Sequence, residues 1–381
     1  MIQRDQELHI AQSLSRRKVV IIYGPRQVGK TTLMKKIYND FEGPKQYIDC
    51  DFEDQRAALT GATMVQFKAL VGDTKLLCID EAQRVENIGL TLKILHDNFK
   101  EVTVVATGSS SFEMANTIKE SLTGRKIEHI MLPISTKDLW KHHGGIMENG
   151  ALEQRLIYGF YPDVVSYPAD AQEALIEIAT SYLYKDIFQY QELRNSELLN
   201  KLLAALAYQI GNQVSYNELA QLTNTSPHTV ERYIDLLEKA FVIFKLSSYS
   251  NNLRNELSKS KKIYFYDNGI RNAIIRSFKP LSLRNDIGAL WENYLVSERY
   301  KNLTSQGIYP QKHFWRTTQQ QEIDYLELDR DAKGEELIHA FEMKYNPKKK
   351  ARLSKTFTGA YPNHTFQIIN SENYWEFVGV G

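Results

Sequence analysis

The sequence predicts an α/β protein built on a parallel sheet, and three observations carry that expectation. The first third alternates short runs of Val, Ile and Leu with longer segments of helical pattern, and those runs do not alternate apolar with polar residues. A glycine-rich octapeptide, GPRQVGKT (Gly24–Thr31), lies between the first run and a helix. Continuous apolar runs suit strands buried on both faces, and intervening helices are the crossovers that parallel neighbours require. Strands are expected at Val19–Tyr23, Gln46–Asp49, Lys75–Asp80, Glu101–Thr107 and Lys126–Leu132.

At 381 residues the chain has room for roughly two to four domains. Hydrophobic residues make up 43% and charged residues 24%, an ordinary globular balance. No segment approaches the ~18 apolar residues that would span a bilayer, and MIQRDQELHI contains no apolar signal region, so a cytoplasmic protein with no membrane partner is expected. Cys50 and Cys78 fall within expected strands and read as reduced core thiols. The net charge of +1 marks no nucleic-acid binder as a whole. Its distribution is uneven, however: Lys344, Lys348, Lys349, Lys350, Arg352 and Lys355 follow one another without an acid between them.

The octapeptide has the spacing of a phosphate-binding P-loop between a strand and a helix. Gly24 and Gly29 let the backbone of Pro25, Arg26, Gln27 and Val28 wrap phosphates with inward N–H groups. Lys30 is expected to reach the β- and γ-phosphates of ATP, Thr31 to hold Mg²⁺ and Thr32 to continue the loop's contacts. LLCIDEAQ (Leu76–Gln83) is an apolar strand ending in two acids. Asp80 would hold the hydrated Mg²⁺, and Glu81 would polarise the attacking water, which favours hydrolysis over mere sensing. The next strand runs into TGSSS, where Ser109 is the first choice and Thr107 the second for a γ-phosphate contact. Arg125, in LTGRK, is the candidate finger that completes a neighbouring subunit's site.

From about Trp140 to Asn200 the pattern is helical, broken at GFYPD (Gly159–Asp163). KLLAALAYQIG, VSYNELAQLT and SPHTVERYIDLLEKA read as three helices, the last with Ser226 as N-cap and Pro227 at its first position. VIFKLSSYS and KKIYFYD follow as strands around a basic tip with Arg254, Lys259, Lys261 and Lys262. Helix–turn–helix plus hairpin is a winged helix. Ser226, His228, Thr229, Arg232 and Tyr233 are then available for contact, and Asp267 is expected to cap the following helix.

Together GPRQVGKTTL, LLCIDEAQ, TGSSS, LTGR and the GFYP turn, in this order, resemble the large prokaryotic AAA-type ATPase family with a C-terminal domain of unknown function. Tyr23, where an aliphatic residue is equally expected, is a small departure. The resemblance implies an AAA core over 1–139, a helical lid over 140–200, a winged helix over 201–289 and a nuclease-like α/β fold over 290–381. In that last part, Phe314–Leu328 and Glu336–Asn346 read as neighbouring strands. Asp324 on the first and Glu342 and Lys344 on the second resemble the PD-(D/E)xK nuclease pattern. That resemblance implies Asp324, Glu342 and Glu292 as metal ligands, with Glu322 in reserve, and Lys344 as a catalytic group. The reading reached is a Mg²⁺-dependent ATPase with DNA as partner, forming a homo-oligomer whose ATP site is shared between subunits. An alternative is a regulatory or chaperone-like ATPase whose C-terminal domain binds protein or DNA without cleaving.

Overall fold

The computed structural model describes residues 2–109, 122–182, 195–250 and 260–381. Its first unit contains α1 (Gln6–Leu14), β1 (Val19–Tyr23), α2 (Lys30–Asp40), β2 (Lys45–Asp49), α3 (Glu53–Ala57), α4 (Met64–Val71), β3 (Leu76–Asp80), α5 (Ile88–Asn98), β4 (Thr103–Gly108) and β5 (Lys126–Ile130). The five strands are all parallel and stand in the order β2-β3-β4-β1-β5. Composition explains the order: VVIIY of β1 and LLCID of β3 are buried throughout, whereas KIEHI of β5 forms an edge with charged residues. Burial pushes both free thiols, Cys50 and Cys78, up to about 12. Because the strands are parallel, Tyr23, Asp80 and Gly108 end at one edge of the sheet, where such folds bind ligands.

A helical segment follows: α6 (Thr136–His143), α7 (Gly145–Gly150), α8 (Leu152–Tyr158), α9 (Pro162–Ser166) and α10 (Ala171–Glu177). Ser135 and Asp138 form a capping box that starts α6. Then come α11 (Ser196–Tyr208), β6 (Gln213–Val214), α12 (Tyr216–Leu222), α13 (Pro227–Lys239), β7 (Ile243–Ser248), β8 (Lys261–Phe265) and α14 (Asn268–Ile274). Ser226 caps α13 by accepting from the Thr229 amide at 3.1 Å, with Pro227 at the first helical position. The last part is α15 (Ile287–Ser305), β9 (Gln311–Arg316), β10 (Glu322–Arg330), β11 (Glu336–Met343), α16 (Lys355–Ala360), β12 (His364–Ile369) and α17 (Tyr374–Phe377).

The second sheet runs through the junction expected at 289/290. Its order is β12-β11-β10-β9-β7-β8-β6. β7 joins β9 in parallel at Ser247–His313 and Ser248–Phe314, and Tyr249 N–H donates to Phe314 O at 2.7 Å. One expected strand is corrected. Phe314–Leu328 is two antiparallel strands, β9 and β10, reversed at TTQQQ, where Thr317 N–H donates to Gln321 O and Gln320 is left-handed with φ 65°. Five consecutive polar side chains suit a turn better than a strand interior. Among the described residues no helix is long and apolar enough to cross a membrane.

A buried carboxylate fastens the GFYP turn to α14. Asp267 accepts from Phe160 N–H at 2.8 Å, Gly269 N–H at 2.8 Å and Ile270 N–H at 3.2 Å. A Cβ on Gly159, whose φ is +70°, would stand 2.0 Å from Asp267 Oδ1, so only glycine admits the carboxylate there. Burial, against the pull of Lys301 and of the Phe160 and Ile270 amides, pushes this carboxyl up from 3.8 to about 6. The folded chain therefore binds the proton more tightly than the unfolded chain. The site's contribution to stability is full below the unfolded value and is lost as pH rises through about 6, by on the order of 3 kcal/mol. Asp267→Asn should remove this slope. Urea denaturation at successive pH values should show the wild type losing stability relative to the variant between about pH 4 and about pH 7, with no further change above.

Candidate functional site

The loop after β1 is shaped by left-handed backbone at Gln27 (φ 60°) and Gly29 (φ 97°) and by Gly24 (φ 151°). A Cβ on Gly24 would lie 2.0 Å from Met131 O, so the loop packs directly on the chain leaving β5. Pro25 and Val28 are buried, Arg26, Gln27 and Thr31 half-buried, and Thr32 exposed. Lys30 opens α2 and is buried, its Nζ donating to Gly24 O at 2.9 Å and Pro25 O at 2.7 Å. The unpaired amides of the first helical turn and the helix dipole favour an anion at this point.

β3 delivers the acidic pair alongside. Asp80 is buried, and Tyr47 OH donates to its Oδ2 at 2.6 Å. Its Oδ1 accepts from Thr107 Oγ1 and, at 3.1 Å, from Glu81 N–H. Glu81 is left-handed with φ 49°, half-buried, and accepts from Gln83 Nε2. Of the two hydroxyls weighed in the sequence, Thr107 is joined to both acids: Glu81 N–H also reaches its Oγ1 at 3.2 Å. Ser109 is fully buried one residue beyond the end of β4.

Next to Gly29, Thr32 and Leu33 lies a cavity of about 380 Å³ walled by Ile2, Met131, Pro162 and Val165, with Arg4 and Glu7 among its polar groups. Its size and mixed lining suit a nucleobase with its sugar. Arg4 is fixed by its donation to Leu132 O, and Glu7 by Lys36. These residues come from four separated segments, and no local motif announces them. Gly24's close packing, the buried Lys30 ammonium and Asp80 at the strand end fit a nucleotide carrying Mg²⁺.

Arg125 stands elsewhere. Its carbonyl accepts from Val19 N–H at 2.9 Å, which puts it at the start of β1, about 16 Å along the strand from the loop. Its Nε donates to Asp97 Oδ1 at 2.9 Å, and Arg125, then His96, lowers that carboxyl to about 2. In its own chain Arg125 faces away from the phosphate loop's edge.

The C-terminal acids converge, but on an ammonium. Lys262 is completely buried, with its Nζ 2.9 Å from Glu292 Oε1, 2.5 Å from Glu322 Oε1 and 4.0 Å from Asp324 Oδ1. Asp324 Oδ2 accepts from Met343 N–H at 2.8 Å, and Lys344 Nζ donates to Glu342 Oε1 at 2.7 Å. Burial alone would lower the Lys262 pKa, but Glu292, Asp324 and Glu322 more than reverse this and hold it above its ordinary value. Burial also pushes Glu292 up to about 7 despite Lys262. With these oxygens already paired, Glu292, Asp324 and Glu342 do not fit a divalent ion as they stand. Among the described residues no group of acids, His and Cys is arranged to hold one.

Two expected surface contacts are corrected. Lys262 does not belong to an exposed basic tip, because three nearby carboxylates, Glu292, Glu322 and Asp324, make its burial favourable. Tyr233 is buried under α13 and packs in the core, leaving Ser226, His228 and Arg232 exposed and Thr229 half-exposed. Arg254 and Lys259 lie outside the described residues. Lys348, Lys349, Lys350, Arg352 and Lys355 are all exposed.

Three family models match successive segments of the chain. Residues 16–140 match the AAA domain family, residues 149–281 a domain of unknown function (DUF8612) and residues 287–377 another (DUF4143). An uncharacterized protein of Mycobacterium tuberculosis is 27% identical over 333 residues, 86% of this chain and 71% of that protein. An uncharacterized protein of Methanocaldococcus jannaschii is 25% identical over 349 residues, 86% of this chain and 75% of that one. Among solved structures, the Thermotoga maritima RuvB Holliday junction branch migration motor is 17% identical, covers 63% of this chain and 87% of its own, and has a TM-score of 0.30. Cdc6p from Pyrobaculum aerophilum is 13% identical, with 72% and 94% covered and a TM-score of 0.30. Overlaps that loose assign no function.

Thr107→Val deletes the hydroxyl that joins Asp80 to the Glu81 amide. Any nucleotide turnover should fall roughly 10-fold or more, as for other groups that orient an acidic ligand. Steady-state phosphate release compared with nucleotide affinity checks this, the affinity falling less than the rate.

Proposed function

We propose that the chain binds Mg-ATP at Gly24–Thr31 and hydrolyses it. The observation that carries this is the phosphate loop and the Asp80–Glu81 pair brought to one sheet edge beside a base-sized cavity, within the segment that matches the AAA domain family. Bound Mg²⁺ would supply charge neutralisation on the phosphate oxygens. Thr31 and Asp80 are the residues that would hold it, with Tyr47 and Thr107 fixing the Asp80 carboxylate. Lys30 leaves two loop carbonyls for the β- and γ-phosphates, and Glu81 orients and deprotonates the attacking water. Arg125, at the far end of β1 from its own loop, acts on the nucleotide of a second copy, so the working form is an oligomer.

The C-terminal half is the part that engages nucleic acid. Helices α11, α12 and α13 with the β7–β8 hairpin have the order of a winged helix. Helix α15, the β9-β10-β11 meander, α16 and β12 parallel to β11 have the order of a nuclease-like core. The exposed run from Lys348 to Lys355 supplies a phosphate-tracking surface beside it. The pairing of Asp324, Glu292 and Glu342 with lysines favours binding without cutting, so DNA is the partner and ATP turnover the chemistry.

Glu81→Gln is the direct test: ATP affinity should stay within about threefold while turnover drops on the order of 10² or more. An equal loss of both would remove Glu81 from the role of base. Replacing Lys348, Lys349 and Lys350 together by Gln should weaken DNA binding at every sequence. The logarithmic salt slope should become shallower by about two to three, read by fluorescence anisotropy across a salt series. A salt-independent affinity would count against the surface.

A further inference from the structure

A lysine stands where the acids of a nuclease-like site would converge on a metal. Lys262 belongs to β8, not to the C-terminal segment that supplies the acids, and its backbone is paired on both sides, opposite Leu246 of β7 and Gln213 of β6. Tyr264, two residues on and therefore on the same face of the strand, donates to Glu292 Oε1 at 2.7 Å. Arg316 holds Glu322 Oε2 at 3.2 Å, and Lys344 holds Glu342. Glu292, Glu322, Asp324 and Glu342 thus face Lys262, Arg316 and Lys344, and the cluster keeps one formal negative charge where the acids alone would present four. A divalent ion entering here meets a fixed ammonium and little net attraction.

We propose that Lys262 is a resident cation that fills the acid cluster in place of a divalent metal and closes it to metal. The proposal rests on the reading of this half as binding without cutting and gives it a cause: with no metal among the acids, no water is activated for attack on phosphorus. It also assigns Lys262 a second effect, since the ammonium ties the β7–β8 hairpin to α15 and β10 through charges that neither side can leave unpaired.

The experiment titrates Mn²⁺ into the full, metal-stripped, nucleotide-free chain and follows free Mn²⁺ by electron paramagnetic resonance. Wild type and Asp324→Asn should bind alike, with no Asp324-dependent site. Lys262→Met should gain one site at least about tenfold tighter than any in the wild type, and adding Asp324→Asn should abolish it. Mn²⁺ should raise the melting temperature of Lys262→Met and leave the wild type unmoved. Should Lys262→Met not fold, Lys262→Met with Glu292→Gln removes the leftover acid and carries the same expectation. Where neither variant folds, the wild-type comparison decides alone. Asp324-dependent Mn²⁺ binding by the wild type, or a folded Lys262→Met that gains no site, overturns the proposal. Failure of the DNA-binding reading would appear as absent DNA affinity and would leave these titrations unchanged.

Discussion

Glu298 and Lys301, one turn apart on α15, form a buried ion pair on which the joining of the two halves depends. Their charged atoms lie 2.5 Å apart. Glu298 also accepts from Thr136 N–H at 2.6 Å, and Lys301 donates to Ile134 O at 3.2 Å and stands 4.4 Å over the Phe160 ring. A buried pair is tolerable only when its remaining hydrogen-bonding capacity is met, and breaking one typically costs about 3–5 kcal/mol. The partners that meet it come from the segment after β5, three to five residues beyond Met131, which closes the phosphate loop. The sheet edge carrying Gly24–Thr31 and the C-terminal half therefore share one short stretch of chain.

The same helix reaches the acid cluster. Glu292 precedes Glu298 by less than two turns, roughly 9 Å along the axis, so α15 has one face against the first unit and another among the C-terminal acids. Between them Asn293 bonds the backbone of Phe265 through both its oxygen and its nitrogen, and also holds Asn268 Oδ1. Asp267 and the GFYP turn adjoin this point. Polar side chains without exposure, each with a specific partner, fix one arrangement of helix, hairpin and turn in a way that apolar packing alone does not.

What the sequence made legible follows the range of the interactions. β1, β3 and the phosphate loop were readable because strand, turn and helix signals lie within some twenty residues, and Ser226 with Pro227 because a cap is local. Tyr47 was invisible, since its bond to Asp80 depends on the β2–β3 pairing. The cavity at Gly29 draws on Ile2 and Val165, which no local pattern connects. Lys262 was misplaced because a lysine is rarely fully buried. Its alternation with Tyr264 on one strand face was the available signal, and the acids that make sense of it are 30 to 62 positions away. Asp324, Glu342 and Lys344 did come together as their spacing implied, with a fourth element inserted among them.

The seven-stranded sheet has a mechanical consequence. β7 and β9 are neighbours by only two register pairs and the Tyr249–Phe314 bond, yet they lie parallel, so a pull along the hairpin loads those bonds in shear. Bonds sheared together yield together. The hairpin and the terminal meander therefore transmit displacement as a single lever. Among the described residues no strand crosses between the two sheets, and there α15 bridges the units through Glu298 and Lys301.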